Sequence, residues 1–191
     1  MSTMDSDIPT LPFSSAIAWE KWLVKHPASN GVWMKVAKKG SETPSVTYDE
    51  ALDVALCHGW IDGQKNSCDE NYFLQKFTPR RDRSIWSKRN IAKVAALKAQ
   101  GKMKPGGLAQ VEAAQKDGRW EAAYGSSKEM SVPDDFLKAV KKSKKAQATY
   151  DALKAAGRFA ISFRLHTAKK PETRARRFNA LLEMLEKDSF K

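Results

Sequence analysis

The sequence predicts an α+β fold: a small antiparallel sheet with packed helices, followed by a helical C-terminal part. Three observations predict it. Apolar residues alternate with period two at 31–37, 60–64 and 72–78, the mark of strands. Capped stripes of helical period flank those strands. Past Ser131, helix signals dominate. The expected organisation is a loose N-terminal arm at 1–13, an α+β body at 14–130 and a basic helical part at 131–191.

Taken in order, a first helix is expected from Ser14 or Ser15, either of which can cap it, to about His26 before Pro27. Ile17, Trp22 and Leu23 are its expected inner face, with Trp19 partly covered. In the strand from Gly31 to Ala37, Val32, Met34 and Val36 alternate with Trp33 and Lys35. Thr47 and Glu50 have the spacing of a capping box, so a helix follows with Ala51, Leu52, Ala55 and Leu56 on one face and Gly59 as its stop. Trp60 to about Gln64 and Tyr72 to Thr78 suit an antiparallel hairpin that Pro79 ends. Ser87 can cap a helix to about Gln100, and Pro105 opens another that Gly118 stops. The C-terminal part reads as helices from Ser131, Lys144 and Pro171. Between them, Phe159, Ile161, Phe163 and Leu165 alternate like a strand, but their helical neighbours favour a helix.

The chain of 191 residues is 41% hydrophobic and 29% charged, with 6 Trp and 8 Phe, a composition that excludes a disordered chain. No apolar run approaches the roughly 18 residues of a membrane span. The polar, acidic start lacks the pattern of a secretory signal, so a soluble, cytoplasmic protein is expected, with nuclear entry open to a eukaryotic source. Two cysteines, Cys57 and Cys68, exclude a disulfide scaffold, and no Cys/His set has metal spacing. Neither a metal nor a cofactor is expected. Charge is uneven: residues 1–72 hold 6 Lys and Arg against 10 Asp and Glu, whereas 73–191 hold 28 against 12. That asymmetry points to an anionic partner for the second stretch.

The segment from Cys57 to Asn90 concentrates the chemistry. Trp60 and Asp62 share a strand face, and pairing of the two strands is expected to bring Arg80 and Arg81 towards Asp62. Ser84, Ser87 and Asn90 at a helix start, with Trp86 beside them, add hydroxyls, free backbone amides and an aromatic ring. Trp60, Asp62, Arg80, Arg81, Ser84, Trp86, Ser87 and Asn90 are therefore the candidate ligand-binding residues, for an anionic, phosphate-bearing ligand. Each also has a structural reading: Asp62 bracing an arginine, Ser87 capping, the tryptophans packing. Asp62 is the one candidate general base. Cys57 and His58 are adjacent in a helix and point about 100° apart, so they form no dyad. Phosphate-loop, nucleophile-elbow, zincin and dinucleotide motifs are absent, and Gly106-Gly107 lacks the rest of a phosphate loop.

Tyr48-Asp-Glu-Ala-Leu-Asp-Val-Ala-Leu-Cys-His-Gly-Trp-Ile-Asp-Gly63, Thr78-Pro-Arg-Arg81, Ser84, Trp86-Ser87 and Asn90 resemble the YdeI/OmpD-associated family of bacteriocin-protection proteins. The resemblance continues through Gly101-Lys-Met103, Asp117-Gly-Arg-Trp120, Val132-Pro-Asp134 and Ala168-Lys-Lys-Pro-Glu-Thr-Arg-Ala-Arg-Arg177, nearly the whole chain from about residue 12. It implies an α+β body distantly similar to the YjbR/frataxin-like group, a helical C-terminal part, and a role in bacteriocin protection or stress resistance. It brings no catalytic residues. The family has an aromatic residue where His58 stands, which argues against His58 as an essential acid or base.

Residues 138–177 hold 13 Lys and Arg against Asp151 and Glu172 alone. Lys169, Lys170, Arg174 and Arg177 are the candidate contacts to a nucleic-acid backbone, Arg174 and Arg177 sharing a helix face. The expected function is binding of an anionic ligand at the Trp/Asp/Arg surface. The alternatives are an enzyme with Asp62 as base, or non-specific nucleic-acid binding through the basic helices. Oligomeric state is not legible.

Overall fold

The computed structural model describes residues 8–41, 43–126 and 128–190. Contacts divide them into two compact units. The first runs through Trp86 and resumes at Asn90–Ala122; the second holds Ser87–Arg89 and the chain from Ala123 onward.

The first unit is built on a sheet of β1 (Thr10–Pro12), β2 (Val32–Ala37), β3 (Trp60–Ser67) and β4 (Tyr72–Pro79), in the order β1-β2-β4-β3. The β3–β4 hairpin is antiparallel as the sequence predicts, and β2 pairs antiparallel with β4. β1 is parallel to β2, which makes the sheet mixed. Part of the segment expected as a loose arm is thus an edge strand; residues 1–7 lie outside the described ones. The hairpin closes because Asp69 Oδ1 accepts the amides of Asn71 and Tyr72 at 2.9 and 2.8 Å. The register shifts between Asp62 and Lys65, and the buried Gln75 amide donates to the carbonyls of Gly63 and Gln64 there, at 3.1 and 3.2 Å.

One face of the sheet is the core. Val32, Met34, Val36, Phe77 and Trp60 point into it, all buried. Helix α1 (Ala16–Lys25), capped by Ser15, packs there together with α2 (Tyr48–Cys57), which has the full capping box of Thr47 and Glu50. The inner face of α1 differs from expectation. Trp19 is fully buried and Ile17 is 66% exposed. Trp19 forms an aromatic cluster with Phe13, Trp22, Trp60 and Phe77, and its indole N–H donates to the Ala51 carbonyl at 3.1 Å. A large ring whose polar edge reaches a partner outcompetes Ile17 for the interior.

Helices α3 (Lys88–Ala99) and α4 (Pro105–Lys116) follow. Gly106 and Gly107 exist for packing. A Cβ on Gly107 would collide with the Cys57 carbonyl oxygen and lie 2.7 Å from that of Leu56. Gly59, at φ +80°, stands equally close to the Gly106 carbonyl. The start of α4 thus lies backbone to backbone on the end of α2.

The second unit holds α5 (Asp134–Val140), α6 (Lys144–Ala152), α7 (Ala155–His166) and α8 (Pro171–Glu186). Phe136, Val140, Ile161, Leu165, Leu181 and Leu185 make its core. The ambiguous segment is helical: Ile161 and Leu165, one turn apart, are both buried. The helix expected over 144–156 ends early, because Leu153 is extended and α7 restarts at Ala155. No helix among the described residues is long and apolar enough to cross a membrane.

Gly107→Ala is expected to lower stability by about 2 kcal/mol or more, since the added methyl meets backbone that cannot move aside. Urea denaturation measures it; a loss under about 0.5 kcal/mol would contradict the close approach.

Candidate functional site

Pro79 ends β4, and the chain then turns through residues 80–86. Two buried arginines tie that turn down, each 6% exposed. The Arg80 backbone amide donates to the Gly59 carbonyl at 2.9 Å, and its Nη1 donates to the Ile85 carbonyl at 3.3 Å. Its Cζ lies 3.5 Å from the centroid of the Trp86 ring, a stacked cation–π contact. Arg119 grips Asp117 through Nε at 2.6 and 2.8 Å and donates from Nη1 to the Ser84 carbonyl at 2.8 Å. Trp120 closes on Trp86 with centroids 4.9 Å apart. Ser84 Oγ accepts the Arg81 amide at 2.9 Å.

The expected cluster is therefore divided. Trp60 lies in the core against Trp19 and Trp22, and Trp86 is 1% exposed, so neither ring can stack on a ligand. Asp62 stands opposite Phe77 on the core face, and its Oδ2 accepts the Tyr48 hydroxyl at 2.7 Å. Arg80 bonds at Gly59, three residues from Asp62 and about 10 Å along the strand. Ser87 makes a parallel bridge to Tyr124 within the second unit, and Asn90 is buried.

Arg80 and the exposed Arg81 instead line an open cleft of 710 Å³ with Lys76, Thr78, Ser29, Asn30 and Gly31. Its remaining described walls are Ile8, Pro9, Ala28 and Pro79. Gly31 lets this segment lie close on the end of β4, because a Cβ there would lie 3.0 Å from the Phe77 carbonyl oxygen and 3.1 Å from Thr78 Cγ2. No carboxylate stands among these residues. Sequence reasoning found Arg80 and Arg81 but missed Lys76, Ser29 and Asn30, which only strand pairing brings near them. In Asp117-Gly-Arg-Trp120 the i,i+2 acid–base spacing is the sequence signal for the Asp117–Arg119 pair.

A second polar group links α1, the end of α2 and the start of α4. Glu20 Oε1 contacts Lys104 Nζ at 3.0 Å and His58 Nε2 at 3.2 Å. Hydrogen bonds from Lys104 first and His58 second hold the Glu20 carboxyl below the usual 4.5. Burial pushes the neighbouring Cys57 thiol up, which makes it a poor nucleophile.

In the second unit, the expected phosphate-gripping arginines serve the fold. Arg174 pairs with Asp135 at 2.8 Å and holds that carboxyl low. Arg177 Nη1 donates to the Arg164 carbonyl at 2.8 Å and to Thr167 Oγ1 at 3.2 Å. Lys169 and Lys170 are exposed.

Residues 11–110, which contain the cleft strands and both divided halves of the cluster, match a family described as a domain of unknown function (DUF8412). The chain belongs to that DUF8412 family. Residues 129–188 match the family described as Bacteriocin-protection, YdeI or OmpD-Associated. The resemblance read across nearly the whole chain thus stands for the C-terminal part, which includes Val132-Pro-Asp134 and the Ala168–Arg177 stretch. The 57–90 segment lies in the DUF8412 region. No curated protein and no solved structure matches the chain.

Arg80→Lys is expected to destabilise by about 1–3 kcal/mol, because an ammonium cannot stack flat on Trp86 while donating sideways. Equilibrium unfolding that is unchanged would show the stack to be dispensable. Glu20, with its lowered pKa, contributes stability that is present above pH 4.5 and lost as pH falls through its folded value. The deficit of Glu20→Gln relative to wild type should therefore be constant near neutrality and shrink in acid; a deficit that grows there would reverse the assignment.

Proposed function

We propose that the protein acts in bacteriocin-protection or stress resistance by binding a phosphate-bearing anion in the cleft of Lys76, Arg80 and Arg81. The observation that carries this reading is the lining itself: Lys76, Arg80 and the exposed Arg81 stand on its walls with no carboxylate among the described residues. Asn30 and Thr78 add hydrogen-bonding groups suited to phosphate oxygens, while the Ser29 hydroxyl is spent on the Gly31 carbonyl at 3.0 Å. The Arg80 guanidinium is buried against Trp86 and the Ile85 carbonyl, so it adds fixed positive charge behind the cleft wall, and Lys76 and Arg81 are the cations that can touch a ligand. The match of the C-terminal part to the bacteriocin-protection family supplies the biological setting. Catalysis by Asp62 has less support, since its carboxylate is engaged by Tyr48 away from the cleft. Backbone binding by the basic helices is weakened by the internal commitments of Arg174 and Arg177.

Thermal unfolding against inorganic phosphate, pyrophosphate and nucleotides tests the cleft. A ligand at about 100 times its Kd should stabilise the fold by about 2.7 kcal/mol. Lys76→Ala with Arg81→Ala should abolish that stabilisation while leaving the unliganded protein folded, because Arg80 is retained. Equal stabilisation of wild type and double variant would overturn the reading.

A further inference from the structure

The sheet of the first unit has a second face, and none of its described strand residues is buried. Strand alternation turns Trp33 and Lys35 of β2, and Tyr72, Leu74 and Lys76 of β4, away from the core. Each is only half-buried. The register arranges them in rows: Trp33 beside Lys76, Lys35 beside Leu74, Ala37 beside Tyr72. Each ring has a lysine next to it. Lys76 Nζ is 5.4 Å from the Trp33 centroid, and Lys35 Nζ is 5.7 Å from that of Tyr72. The strand positions of this face include no Asp or Glu.

A half-exposed sheet face would ordinarily be tiled with small polar residues and ion pairs. Here aromatic rings alternate with cations, and the face runs directly into the Arg81 cleft, since Lys76 and Thr78 belong to both. Trp33 and Tyr72 are four residues apart in register, about 13 Å along the strands. That distance suits two non-adjacent bases of an extended strand and is too long for one small planar ligand. Rings that accept any base, beside cations that accept its phosphates, are the chemistry of a single-strand platform.

We infer that this face binds single-stranded nucleic acid, with bases on Trp33 and Tyr72 and the phosphate backbone directed along Lys35 and Lys76 into the cleft. The inference rests on the cleft reading for its phosphate end alone. It differs from binding by the C-terminal basic helices, because here the rings, and not charge by itself, select single strands over duplex.

Fluorescence anisotropy of the full chain with a labelled oligothymidylate at low salt tests it. Trp33→Ala and Tyr72→Ala are each expected to weaken binding about tenfold, and Trp33→Phe to restore much of the loss. Circular dichroism checks that the variants are folded, and Tyr72, near the strand end, serves if Trp33→Ala does not fold. Duplex of the same length should bind more weakly than the single strand, and affinity should fall as salt rises. Three results would overturn the inference: no oligonucleotide binding at low salt, binding indifferent to Trp33 and Tyr72, or equal binding of duplex. Self-association abolished by Trp33→Ala would also overturn it, by making the face an interface between copies. If Lys76→Ala with Arg81→Ala loses phosphate-induced stabilisation while oligonucleotide binding ignores the rings, this inference fails and the cleft reading stands.

Discussion

The stack of the Arg80 guanidinium on Trp86 is the interaction on which the turn after β4, and with it the wall of the cleft, depends. It places a cation in an almost fully buried position, where an unpaired charge would be costly. The ring and the Ile85 carbonyl both face the guanidinium, so the turn after β4 cannot relax without exposing it to loss of both. Arg119 repeats the device one carbonyl earlier, at Ser84. Two planar cations thus hold the turn that presents Arg81 to solvent, and a lysine in either place would lack the fork that serves ring and carbonyl at Arg80, and carboxylate and carbonyl at Arg119.

The sheet distributes its roles by face. On one side, Trp60 and Phe77 of the sheet bury their rings against Trp19 and Trp22 of α1. On the other, Trp33 and Tyr72 keep theirs partly exposed among lysines. The same residue type has opposite meanings on opposite faces, and a period of two decides which applies. The placement of Asp62 follows from that rule. Two positions from Trp60, it shares the core face, where Tyr48 satisfies its carboxylate.

Much of the architecture was legible because local chemistry announces it. Thr47 and Glu50 form their capping box, Ser15 caps α1, and Pro105 and Pro171 open helices. The inner face of the first helix is not legible, because apolar periodicity alone cannot rank Ile17 against Trp19 when an indole has a carbonyl to reach. Thr10–Pro12 is a strand of three residues, which carry too little pattern to mark it in the sequence. The candidate cluster was legible as chemistry but not as geometry. Arginine, aspartate and tryptophan close in sequence were expected to converge, and the hairpin register sends them to different sides.

By itself, the sequence determined the fold class, the helix boundaries set by caps and prolines, the basic bias of the second half and the arginines at 80 and 81. Those follow from residue types acting over one or two turns of chain. Only the tertiary structure decided that Arg80 is buried while Arg81 is exposed, that Gly106 and Gly107 serve helix packing, and that Lys76 joins residues 28–31 around one cleft. These depend on strand register and on backbone approach between segments tens of residues apart, and a one-residue change of register would have turned every side chain on the strand to the other face.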